Sequence, residues 1–99
     1  MTKRKLKPIH PGKVLREEFL KPFDISDESL AQSIGASVQD IREIVTEKQS
    51  VTADKALRLA KFFGTSAQFW LGLQSDYDLD VTREMLGEKL EKEIVPLAA

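Results

Sequence analysis

A chain of 99 residues makes one small domain, and a domain of that size buries a limited share of its surface, so added burial in a dimer would help it. Apolar residues make up 41% and charged residues 31%, with a net charge of −1, which excludes a disordered acidic chain and a uniformly basic tail. There is no cysteine to form disulfides or thiolate metal sites, and no apolar run long enough to span a membrane, so a soluble cytoplasmic protein is expected.

The near-zero net charge conceals an uneven distribution. From Lys3 to Lys21 there are seven basic and two acidic residues; from Asp24 to Asp54, two basic and seven acidic; from Gln74 onward, three basic and seven acidic. Residues 1–9 lack periodicity and read as a flexible basic arm. Its cations suit phosphate tracking, and they equally suit a solvated terminus. No signal-peptide core follows the charged start.

His10-Pro11-Gly12 has the form of a helix start, with Pro pre-set for the first turn. Leu15 and Phe19 then share a face at i, i+4, which predicts an amphipathic helix to Leu20 before Pro22 ends it. Phe23 and Ile25 are expected to dock back onto the core. Ser26 or Asp27 should cap a second helix carrying Leu30, Ala31 and Ile34. Gly35 closes that helix, and Ser37 caps a third whose buried stripe is Ile41, Ile44 and Val45. Two short helices joined by a Gly-bearing turn form a helix-turn-helix pattern, whose second helix can enter the DNA major groove. The same pattern also occurs in helical proteins that bind no nucleic acid.

Thr52 should cap a fourth helix through the amide of Asp54 or Lys55, with Ala56, Leu57, Leu59, Ala60 and Phe63 as its apolar side and Gly64 at its end. Ser66 should cap a fifth, where Phe69, Trp70, Leu73 and Tyr77 read as core aromatics and aliphatics. Beyond Leu79, Val81, Met85, Leu86, Leu90, Ile94 and Val95 recur about every four residues. This predicts an amphipathic extension, interrupted near Gly87 and ended by Pro96, that either folds back or meets a partner helix.

Sites of chemistry are not apparent. His10 is the only histidine, so a two-His metal site and a His pair for acid–base work are excluded. Asp76, Asp78 and Asp80 alternate like a calcium loop but lack its Gly and terminal Glu. No phosphate cradle or nucleophile elbow occurs. Neither a catalytic residue nor a cofactor or metal site is expected.

Several spaced blocks carry a family resemblance: His10-Pro11-Gly12 with Leu15, Glu17, Glu18, Phe19 and Leu20; Leu30-Ala31 with Ile34-Gly35; Ile41 with Ile44-Val45; Val51 to Ala60; and Gly64-Thr65-Ser66 with Phe69-Trp70-Leu71, Leu73 and Gln74. From about Ile9 to Leu79 the chain resembles HigA-type antitoxins, also labelled virulence-associated protein I, within the lambda-repressor-like (Xre) helix-turn-helix group. The resemblance implies an all-α fold: a compact five-helix DNA-binding domain at residues 10–79, with a C-terminal helical extension at 80–99 that offers a dimer or partner contact. It also implies homodimers, double-stranded operator DNA and a HigB-type ribonuclease toxin as partners, and repression of the operon that encodes the protein.

Carried over by position, the resemblance places Val38, Gln39, Asp40, Arg42 and Glu43 on the base-facing side of the recognition helix, and Ser26, Asp27, Ser37, Thr46, Lys48 and Ser50 near phosphates. Relatives usually carry Gln at the position of Asp27 and often Arg at those of Val38, Asp40, Thr46 and Gln49. Arg42 and Lys48 are the cations left on that surface. Two readings therefore stand: a repressor whose weak affinity is aided by the basic arm, or an interaction module that sequesters a toxin with little DNA binding.

Overall fold

The computed structural model describes residues 8–98. Lys3, Arg4, Lys5 and Lys7 of the expected basic arm lie outside the described residues. The described chain is helical, with no strand. Helix α1 (Pro11–Val14) continues without a break into a wider π-helical segment (Leu15–Leu20), followed by α2 (Asp27–Ile34), α3 (Val38–Val45), α4 (Ala53–Phe63), α5 (Ala67–Leu86) and α6 (Lys89–Glu93).

The helix starts follow the capping residues. The hydroxyls of Ser26, Ser37 and Ser66 accept from the amides of Ser29, Asp40 and Phe69, each at 3.0 Å, and Thr52 accepts from Lys55 at 3.3 Å. Each bond satisfies an amide that the helix itself leaves without a partner. Gly35 closes α2 in the left-handed region at φ 70°, where a Cβ would be strained. At the start of α1 the imidazole of His10 is the cap: its Nδ1 accepts from the Gly12 amide at 2.8 Å. The ring is buried and meets Tyr77 edge-on, with centroids 4.9 Å apart.

The core gathers Leu15 and Leu20 from the first helix, Leu30, Ala31 and Ile34 from α2, Ile41, Ile44 and Val45 from α3, Ala56, Leu59 and Ala60 from α4, and Trp70 from α5. Phe19 seals one side against Phe63 and Trp70, at centroid distances of 4.8 and 5.1 Å. Trp70 is fully buried, and its indole N–H donates to the Thr65 hydroxyl at 2.8 Å. Three expected core residues lie outside, among them Phe69, which is 39% exposed and packs edge-on against Trp70 from the rim. Phe23 is 65% exposed, because the chain turns outward after the first helix through Asp24 at φ 55° and only Ile25 returns to the core. Leu57 is 63% exposed, because Ala56, Leu59 and Ala60 already define the inner face of α4.

Helix α5 passes through positions 79 and 80 without a break and ends at Leu86, where Gly87 at φ 56° interrupts it. Leu79 and Met85 on the distal part of α5, Leu90 on α6, and Ile94 and Val95 after it are exposed.

The first helix meets α3 at closer than side-chain range. A Cβ added to Gly12 would stand 1.7 Å from the Ile44 carbonyl oxygen. Substituting Gly12 with Ala is expected to cost about 3 kcal/mol or more, since backbone must move to admit the methyl. Ile41→Ala, which empties a fully buried site, should cost about 2–5 kcal/mol. Thermal unfolding checks both, at roughly 4–8 °C of midpoint per kcal/mol.

His10 also makes a pH prediction. Burial lowers its pKa from the ordinary 6.5, against smaller raising effects of Glu47 and Asp78. The unfolded chain therefore binds a proton more readily than the folded one, and stability falls as pH drops through 6.5. The midpoint should decrease between pH 7.5 and 5.5, and His10→Asn, which keeps a capping side chain, should flatten that decrease.

Candidate nucleic-acid interface

Helices α2 and α3 are joined by the three residues Gly35, Ala36 and Ser37 and pack together through Leu30, Ala31 and Ile34 on one side and Ile41, Ile44 and Val45 on the other. Burying that stripe turns Gln39 and Arg42 to solvent. The outer face of α3 is thus a consequence of its inner one.

Three polar tethers hold the unit in place, one from each surrounding helical segment. Arg16 donates through Nη1 to the Val45 carbonyl at the end of α3, and its Nη2 stands 3.7 Å from Glu47. Arg58 of α4 donates to the Ile34 carbonyl at 2.8 Å and to that of Gly35 at 3.4 Å, closing the end of α2. Gln74 of α5 is buried; its Oε1 accepts from the Val51 amide at 2.8 Å and its Nε2 donates to Asp78 at 3.0 Å. Such contacts satisfy helix-end carbonyls and a buried loop amide that would otherwise be stranded. None is visible as a local pattern, since the partners lie 23 to 29 residues apart.

The expected base-facing residues form a linked row. Gln39 Nε2 donates to Glu43 Oε2 at 2.7 Å. Gln49 Nε2 donates to Glu43 Oε1 at 2.8 Å and to Asp40 Oδ1 at 3.3 Å. The other Asp40 oxygen faces Lys55 Nζ at 3.5 Å. The amide of Gln49, then the charge of Lys55, hold the Asp40 carboxyl below its usual range. Arg42 reaches back to Glu28 of α2 at 2.5 Å. Val38 differs from the expected outward position: it is half-buried against the core, because it starts the same stripe as Ile41 and Val45. Gln49 and Lys55 were not among the expected site residues. Gln49 lies past the helix end, and Lys55 comes from the next helix, so neither shares a periodic face with Asp40.

The expected phosphate-facing residues fall in two places. Ser26, Asp27 and Ser37 stand at the N-termini of α2 and α3, where peptide dipoles favour an anion. Asp27 is itself an anion there. Thr46, Lys48 and Ser50 are exposed in the segment after α3, and the Thr46 hydroxyl donates back to the Arg42 carbonyl at 2.7 Å. Among the described residues no group of side chains is arranged to hold a metal ion, and no helix is long and apolar enough to cross a membrane.

No protein-family model matches the chain. Individual proteins do. The chain is 46% identical over 82 residues to virulence-associated protein I of Dichelobacter nodosus, covering 83% of its own length and 76% of that protein. It is 33% identical to antitoxin HigA-1 of Vibrio cholerae, over 90% of this chain and 84% of that one. The solved structure of Pseudomonas aeruginosa antitoxin HigA with the higBA promoter superimposes with a TM-score of 0.88 at 48% identity, covering 91% of this chain and 98% of that one. The chain belongs to the HigA antitoxin family. Its all-helical architecture is that of HigA.

Within this HigA-type fold the loop after α3 depends on Gln74. Gln74→Leu removes the acceptor from the Val51 amide while keeping bulk, and should cost about 1–3 kcal/mol. Chemical denaturation with an unchanged slope but a lower midpoint would be the expected result; an unaltered midpoint would dismiss the tether.

Proposed function

We propose that this HigA-family chain is a dimeric, sequence-specific DNA-binding repressor that also serves as the antitoxin of a toxin–antitoxin pair, controlling its own operon. The single observation that carries the reading is the outward α3 face, held rigid by tethers from three neighbouring segments, in a chain 48% identical to an antitoxin solved with its promoter. Ser26, Asp27, Ser37, Thr46, Lys48 and Ser50 are proposed to line the DNA backbone, and Gln39, Asp40, Arg42 and Glu43 the groove. A non-enzymatic role is part of the proposal.

A second reading has its own support. Arg42 is paired with Glu28 and Lys55 with Asp40, so cations near the face are already neutralised inside the monomer. This favours an interaction module that binds a toxin and touches DNA weakly.

Fluorescence anisotropy of the full chain on a duplex from upstream of its own coding frame, against a scrambled duplex, separates the two. The repressor reading expects a preference of about a thousandfold, at the low end for specific regulators. Equal affinities at low salt would remove it and leave the second reading. Gln39→Ala should reduce that preference by about 1–3 kcal/mol while binding to scrambled duplex stays constant. Co-expression with the product of the adjacent gene tests the antitoxin half: a stable complex is expected, and its absence would sink that half alone.

A further inference from the structure

Glu43 sits between two amides and touches both. An ionised carboxylate only accepts hydrogen bonds, so an amide in contact with it must present nitrogen, not oxygen. Gln39 Nε2 lies 2.7 Å from one Glu43 oxygen and Gln49 Nε2 lies 2.8 Å from the other. Both oxygens are taken, and the bonds are of the charge-assisted kind. Gln49 is fixed further by Asp40, and Asp40 by Lys55 of the next helix. The row therefore runs Gln39, Glu43, Gln49, Asp40, Lys55, with its far end secured to α4.

The consequence falls on Gln39, which is exposed on the outer face of α3. A free glutamine turns its amide end over at little cost and reads either a donor or an acceptor. Here the flip is set. The nitrogen is held at Glu43 with one hydrogen left over. Among the described residues no donor is recorded on Gln39 Oε1, so the carbonyl oxygen is the outward acceptor.

In the major groove adenine and cytosine present an exocyclic amino group, whereas guanine and thymine present a carbonyl oxygen. An outward Oε1 bonds the first pair and is repelled by the carbonyl of the second, which only the one spare N–H can serve. With adenine, the spare N–H can also meet N7. We infer that Glu43 is a positioning residue that sets the amide orientation of Gln39, so that this helix selects a base bearing an amino group over one bearing a carbonyl. The inference rests on the DNA-binding reading above and adds to it which class of base the helix accepts. Glu43 stands in the groove-lining row, and its part in this choice of base is made through Gln39.

The test is selection from a randomised duplex library with the full chain and with Gln39→Ala, Glu43→Ala and Glu43→Gln, followed by anisotropy on duplexes altered at single positions. Wild type should show one Gln39-dependent position that prefers adenine or cytosine on the contacted strand by roughly five- to hundredfold. In Glu43→Ala and Glu43→Gln that preference should fall to within about threefold, because either flip is then open. The thermal midpoint should stay near that of wild type, and the loss of preference should be largest at the Gln39-dependent position. A merely structural Glu43 would instead weaken binding uniformly, and that result overturns the inference. So would an unchanged preference in Glu43→Ala, or a wild-type choice of guanine or thymine at the Gln39-dependent position. If wild type enriches no sequence at all, the DNA-binding reading itself fails and the clamp falls with it.

Discussion

Between the Gly12 Cα and the Ile44 carbonyl there is no room for a methyl group. That contact brings the backbone of the first helix directly against the end of α3, and much else follows from it. His10 can cap the helix start from a buried position because Tyr77 covers its ring there. Arg16, one turn further on, falls within reach of the Val45 carbonyl. The orientation of α3 is therefore set by backbone contact at one end and by the Ile41, Ile44 and Val45 stripe along its length.

The helix-turn-helix unit does not stand alone. Its ends and its following loop are held by Arg16, Arg58 and Gln74, which come from the first helical segment, α4 and α5. The tethers complete two helix-end carbonyls and one loop amide that have no backbone partner of their own. A surface built this way loses little conformational freedom when a partner binds, which conserves affinity for the contacts themselves.

Charge on the outer face works in the opposite direction. Carboxylates of Glu28, Asp40 and Glu43 take up the donors of Arg42, Lys55, Gln39 and Gln49. Exposed pairs of this kind contribute little to stability. Their effect is on recognition. Cations already matched to carboxylates release fewer counterions from a duplex, so Arg42 and Lys55 add less to the general attraction for phosphates. Besides Lys48, what remains exposed is amide and hydroxyl, which discriminate by donor and acceptor pattern more than by charge. On this face the arrangement favours selectivity over affinity.

The elements of this protein were determined locally, and so could be read in its sequence. Serine and threonine caps at positions 26, 37, 52 and 66, the glycines at 35 and 64, and the spacing of Ile41, Ile44 and Val45 define the helices and their inner faces, because capping and periodicity act within one or two turns. The family resemblance from Ile9 to Leu79 was legible for the same reason, as it rests on those buried and capping positions. Only the tertiary structure decided that Phe23 and Leu57 remain outside, that Val38 turns partly inward, that Arg58 and Gln74 brace the turn and the loop, and that Gln49 and Lys55 join the row on α3. These outcomes depend on which segments lie side by side after packing. Side chains six to twenty-nine residues apart meet through the folding back of loops and the packing of helices, and no local period encodes those meetings.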